Sequence, residues 1–277
     1  MAKKPTPPAT PAADGEISGN VLFYSTPEPL NPQQHGKLGL VDMEKPFSFA
    51  KGGHVVPLTV GEFGQAALNF PIIFAGDERI PLAVMGLNGE QNLFISDDGA
   101  FEDATYLPAY IRRYPFVLAG ADGGQMLVCI DRASVLLSES GKTKLFDDKG
   151  QPTQYTKDAI KFCDDFEGER QRTMSFVAVL KDLDLFELKQ AVFTPRSPDG
   201  SNGQPQLIAE YWAISDDKFK ALKPEKLAEL RDNGAMGAIY AHMISLLGWD
   251  RLIALAAKRG PASMPPPVPV QPQPANA

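Results

Sequence analysis

At 277 residues, 43% of them hydrophobic and 22% charged, the chain has globular composition and room for one large domain or two small ones. Its net charge of −7 sets the surface against nonspecific binding to nucleic acid or anionic lipid, which it would repel. Two cysteines, Cys129 and Cys163, are too few for a disulfide scaffold or a four-cysteine zinc site; on a strand and a helix, they read as small buried hydrophobes.

The chain opens on a Pro-, Ala- and Thr-rich stretch, and residues 1–19 are expected to be a disordered tail. No apolar core of a secretory signal follows Lys3-Lys4, and no apolar run approaches the ~20 residues of a membrane helix. The default expectation is a cytoplasmic chain that does not insert in a membrane, with export by a signal-independent route left open. The ordered part is expected over residues 20–260 as a single domain. The closing PASMPPPVPVQPQPANA, residues 261–277, favours polyproline II and reads as a second disordered tail.

Short β-prone runs fill the first half: VLFY (21–24), HVVPL (54–58), PIIFAG (71–76), PLAVMGL (81–87), QNLFIS (91–96), FVLAG (116–120) and QMLVCID (125–131). Asn88-Gly89 predicts a tight hairpin between PLAVMGL and QNLFIS, and ADGG predicts another between FVLAG and QMLVCID. TVGEFGQAALNF predicts a helix, with Thr59 and Glu62 in a capping-box pattern and Pro71 as its stop. CIDRAS predicts a strand end at which Asp131 or Ser134 caps backbone.

The second half is more helical. The run from Gln151 to Phe186 holds one long helix, or two broken near Gly168. LFELKQAVF and QLIAEYWAIS alternate like strands, and the remainder carries two or three helices, with Pro224 at a first helical position and Gly234 at a helix end. Strands and helices are not regularly interleaved, which predicts an α+β fold: a largely antiparallel sheet region followed by a helical C-terminal region.

The stretch YLPAYIRRYPFVLAG, residues 106–120, sets two arginines among aromatic and apolar residues. As a short helix it places Tyr110 and Tyr114 close together, Arg113 beside them and Arg112 pointing away. One reading is a site for a small anion built from Arg112, Arg113, Tyr110 and Tyr114. The other is a clamp, in which Arg113 lies on a tyrosine ring and pairs with Glu62, Glu78 or Asp131, since an unpaired buried charge is costly. Of the three histidines, His242 lies on an apolar helix and reads as a hydrogen-bonded core residue. His35 and His54 with Glu62 offer metal-ligand donor types, which would make the protein a metal-dependent enzyme, but their spacing matches no ligand motif. No nucleophile elbow, phosphate loop or EF-hand loop is present, so no reaction and no cofactor are expected.

The blocks PEPLNPQQHGKLGL, PIIFAG, PLAVMGLNGEQNLFIS, YLPAYIRRYPFVL, CIDRAS, GKTKLFDDKGQPT and MGAIYAHMISL together resemble the SapC family of bacterial proteins, over about Val21 to Lys258. The resemblance implies an accessory protein associated with the bacterial surface layer, acting through a protein partner. It brings no catalytic residues with it.

Overall fold

The computed structural model describes residues 21–120, 126–195, 201–260 and 263–265. Both expected tails lie outside or at the edge of these residues. In chain order the elements are β1 (Pro27–Pro29), α1 (Pro32–His35), β2 (Gly39–Leu40), β3 (Val55–Pro57), α2 (Phe63–Ala66), β4 (Ile72–Ala75), β5 (Ile80–Val84), α3 (Ala109–Arg112), β6 (Phe116–Gly120) and β7 (Met126–Asp131). They continue with β8 (Leu137–Ser138), β9 (Thr143–Lys144), α4 (Gln154–Asp182), β10 (Phe186–Phe193), β11 (Gln206–Ile214), α5 (Asp216–Lys220), α6 (Pro224–Asp232), α7 (Ala235–Ser245) and α8 (Trp249–Arg259). The fold is α+β, with antiparallel sheets and a helical C-terminal region.

The described residues form two compact units. One takes the residues up to Val41 together with Pro115–Cys163; the other takes Asp42–Tyr114 and the residues from Asp164 onward. In the first unit β6 and β7 pair antiparallel from Phe116↔Ile130 to Gly120↔Met126, with β1 on the free side of β7. Prolines at both ends of β1 suit an edge strand, where a missing N–H costs no ladder bond. A second small sheet has the order β8-β2-β9. Its core gathers Leu38, Phe116, Ile130, Leu145, Phe146 and Cys163. The residues between β6 and β7 lie outside the described set, so that turn is not assigned.

The second unit holds a five-stranded antiparallel sheet, β10-β11-β4-β5-β3. Phe74 of β4 anchors its core, edge-on to Phe63 at 6.3 Å and to Phe186 at 5.0 Å. Helix α7 is tied to two strands by polar atoms: Ile214 N–H of β11 donates to His242 Nε2 at 3.0 Å, and Ile72 N–H of β4 donates to Ser245 Oγ at 2.9 Å. Each of these strand-end amides would otherwise be buried unpaired.

Helix α4 is one continuous helix of 29 residues, not two. Gly168 lies inside it in open space, where the neighbouring turns carry the hydrogen bonds and one glycine does not break them. The helix stops where Asp184 adopts φ 51° and Leu185 N–H turns back to Leu180 O, a left-handed C-terminal cap made without glycine.

Three sequence expectations are corrected. VLFY is a turn rather than a strand: Tyr24 N–H bonds back to Val21 O, and Phe23 sits at φ 76°. QNLFIS is not a strand, and the hairpin through Asn88-Gly89 does not form a ladder; β5 pairs instead with β4 and β3. Buried Asn92 is the cause. Its side-chain oxygen accepts from Phe94 N–H at 2.9 Å, a local turn that competes with extended pairing. The helix expected from Thr59 to Phe70 is shorter, a 3-10 turn at Val60–Glu62 running into the single turn of α2.

Candidate functional site

The arginine pair is built on α3. Pro108 precedes it and Pro115 follows, so the helix is one turn long and its first N–H groups need outside partners. Glu62 supplies one. Its Oε1 accepts from Ala109 N–H at 2.7 Å and from the Tyr106 hydroxyl at 3.0 Å. Its Oε2 accepts from Thr59 N–H at 2.8 Å and from Thr59 Oγ1 at 2.9 Å. A single buried carboxylate therefore joins the turn before α2 to the segment that carries the arginines. Burial pushes the Tyr106 hydroxyl up to about 12, and the adjoining Glu62 charge adds to this. That keeps it a neutral donor to Glu62.

The two arginines part ways. The Arg113 guanidinium lies 4.0 Å from the Tyr110 ring centre and 4.6 Å from that of Phe166 on α4, in the corner made by two rings set edge to face. Arg170 holds the nearby Glu167 carboxyl below its usual range, chiefly by hydrogen bonding, and the Arg113 charge contributes in the same direction. Arg112 is exposed, with its Nη2 donating to the Tyr106 hydroxyl at 3.2 Å. Tyr110 and Tyr114 are both buried, and Tyr114 stacks on Phe49 with ring centres 3.8 Å apart. Of the four residues expected around an anion, Tyr110 and Arg113 are brought into contact, Tyr114 turns to a different ring, and Arg112 faces outward.

Each of the three acidic residues considered for the clamp has identified partners. Glu62 is engaged as described above. Glu78 lies 3.7 Å from Lys181. Asp131, fully buried, accepts from Thr26 N–H at 2.8 Å and Ser25 N–H at 3.1 Å.

His35 belongs to the first unit, and His54 and Glu62 belong to the second. Among the described residues no group of three or more His, Cys, Asp or Glu side chains is arranged to hold a metal. His35 is buried at the end of α1 with Nε2 2.7 Å from Glu28 Oε1. Partial burial lowers the pKa of His54, against an opposing hydrogen bond from its ring to the Gly89 backbone. His242 is a core histidine, as its apolar helix implies; burial drives it down to about 3, so it remains a neutral acceptor for Ile214.

Sequence reading missed Tyr106 and Phe166. Tyr106 stands four residues before Tyr110 in YLPAY, a visible signal; Phe166 belongs to a helix remote in sequence and gave none.

These features define a mixed α+β protein whose specific block is an arginine–aromatic cluster hung on a buried carboxylate. The chain belongs to the SapC family, whose profile matches residues 30–252. It matches no curated protein and no solved structure.

Proposed function

We propose that this SapC-family chain is a non-enzymatic accessory or interaction protein with a role in bacterial surface-layer or cell-envelope function. The split of the arginine pair supports this reading. Arg113 is engaged with rings inside its own unit, whereas Arg112 is presented outward from a base fixed by Tyr106 and Glu62. A positioned, exposed guanidinium on a chain of net charge −7 suits recognition of an acidic group on a protein partner. Among the described residues no helix is long and apolar enough to cross a membrane, and in this reading contact with the envelope runs through that partner.

The adjacency of Arg112 Nη2 and the Tyr106 hydroxyl favours a second reading, a site for a small anion with Arg112 as its charge and Arg113, Tyr110 and Tyr114 shaping the floor. Co-sedimentation of the purified protein with surface-layer and envelope preparations from its source bacterium tests both. The wild type is expected in the pellet, and Arg112→Glu is expected to reduce the retained fraction at least about tenfold. A wild type that stays in the supernatant overturns the accessory reading. Calorimetric binding of inorganic phosphate that Arg112→Glu abolishes establishes the second.

A further inference from the structure

A cavity of about 300 Å³ lies within the second unit, where the loop after β5 meets the end of α8. Its size is at the lower end for ligand pockets, which limits the occupant to a small molecule. Two cations enter it from different elements. Lys51 follows the 3-10 turn Phe47–Ala50, and Arg259 is the last residue of α8. Backbone carbonyls of the loop hold both. Lys51 Nζ donates to Asp97 O at 2.6 Å, and Arg259 donates from Nη1 to Ile95 O at 3.0 Å and from Nη2 to Leu93 O at 2.9 Å. Two carboxylates, Glu90 and Asp97, line the same cavity. Among the described residues neither of them pairs with either cation. Opposite charges that share a small cavity ordinarily close on each other, since a charge-assisted bond is stronger than one to a carbonyl. Here the cations are fixed in place by neutral groups, and each keeps donors to spare: an ammonium has three and a guanidinium five.

The rest of the lining is polar, with Ile95 its one apolar residue. Asn92 is 1% exposed, yet among the described residues its carboxamide nitrogen has only the Met85 thioether, 3.7 Å away, as acceptor. A thioether accepts weakly and the nitrogen carries two hydrogens, so a buried donor in this wall is short of a partner. The charges decide the class of ligand. A simple anion would meet Glu90 and Asp97 as well as the cations, and a simple cation would meet Lys51 and Arg259. A zwitterion satisfies both sets. Its carboxylate belongs with Lys51 and Arg259, whose anchoring carbonyls at Asp97 and Ile95 are two residues apart in one loop. Its ammonium belongs with Glu90 or Asp97, and its polar body with Gln91 and Asn92. We propose that this cavity binds a small polar zwitterion of the free amino acid class. The site uses none of the residues around Arg112, so it stands or falls apart from the accessory reading.

Isothermal titration calorimetry on the dialysed full chain tests this. The probes are the free L-amino acids with polar side chains, each set against its N-acetyl derivative, with sodium acetate and inorganic phosphate as anions alone. At least one amino acid is expected to bind at one site per chain with a Kd of about 1 mM or tighter. Its N-acetyl derivative keeps the carboxylate and loses the ammonium, and should bind at least about tenfold more weakly. Lys51→Met and Glu90→Gln should each weaken binding about tenfold or more, because each removes one charged contact. Thermal melting of both variants checks that they remain folded; Arg259 is left intact because it also ties the carbonyls of Leu93 and Ile95. If no probe binds at about 1 mM, the proposal is overturned. Binding that either substitution leaves unchanged overturns it too, because the site then lies elsewhere. Acetate or phosphate binding as tightly as the amino acid would mean an adventitious ion only, and would overturn it equally.

Discussion

Arg112 and Arg113 are adjacent in sequence and opposite in physical setting, and their replacement should show it. The Arg113 guanidinium sits over two rings in a partly desolvated corner, where each such contact contributes up to about 2 kcal/mol and the aliphatic stem adds packing. Arg113→Ala should therefore cost about 2 kcal/mol and lower the melting temperature by roughly 4–8 °C for a chain of this size. Arg113→Lys should recover only part of that, because an ammonium lacks the planar face that lies on the rings. Arg112→Ala removes an exposed group that donates to the Tyr106 hydroxyl, and should stay within about 0.5 kcal/mol of wild type. Thermal denaturation of the three variants measures this, and equal losses at the two positions would refute the division. The division itself was legible in YLPAYIRRY, because a 100° step per residue sends neighbours to different sides. The second ring was not, because Phe166 comes from a helix more than fifty residues further along.

Among the elements, α7 carries the clearest pH dependence. The unfolded chain takes up a proton on His242 below its ordinary value of 6.5, whereas the buried ring takes one up only near 3. Between those values the unfolded state binds more protons, so stability falls as pH falls, by up to about 1.4 kcal/mol per unit. From pH 6.5 to 5 the loss assigned to His242 is about 1.5–2 kcal/mol, before most carboxylates begin to titrate. His242→Gln keeps an acceptor for Ile214 N–H and removes the titration, so its urea-derived stability should be flatter over that range. His54, also lowered by burial, leaves a residual slope of the same sign. A variant that loses stability with pH as steeply as wild type would show that His242 does not carry the effect. Element type was readable where periodicity was long, as in α4, β10 and β11. It failed at QNLFIS, where apolar alternation pointed to a strand but Asn92 closed a local turn, and at VLFY, where a positive φ at Phe23 lay outside any propensity argument. The capping pattern at Thr59 was readable too, but not that the same Glu62 reaches Ala109 and Tyr106 across 47 and 44 residues.

At the scale of the whole molecule, the chain carries separate reporters for its two units. Cys129 and Cys163 both belong to the unit made of the residues up to Val41 and Pro115–Cys163, and both are buried. Trp212 and Trp249, the two tryptophans, both belong to the other unit. Burial pushes the Cys129 thiol up to about 11, so it reacts only when its surroundings open. The cysteine-bearing unit is the shorter, and all three strands of its β8-β2-β9 sheet are only two residues long. Its core is a compact cluster around Phe116, Leu145 and Ile130. The other unit has a five-stranded sheet and a core rich in phenylalanine. Smaller units bury a smaller fraction of their surface and are correspondingly less stable. In a urea series the thiols should become reactive at a lower midpoint than the tryptophan fluorescence transition. The native chain at pH 8 should show little labelling of either cysteine over minutes. Coincident midpoints would mean that the units unfold as one cooperative body, and a tryptophan transition that comes first would reverse the order of stability argued from their cores.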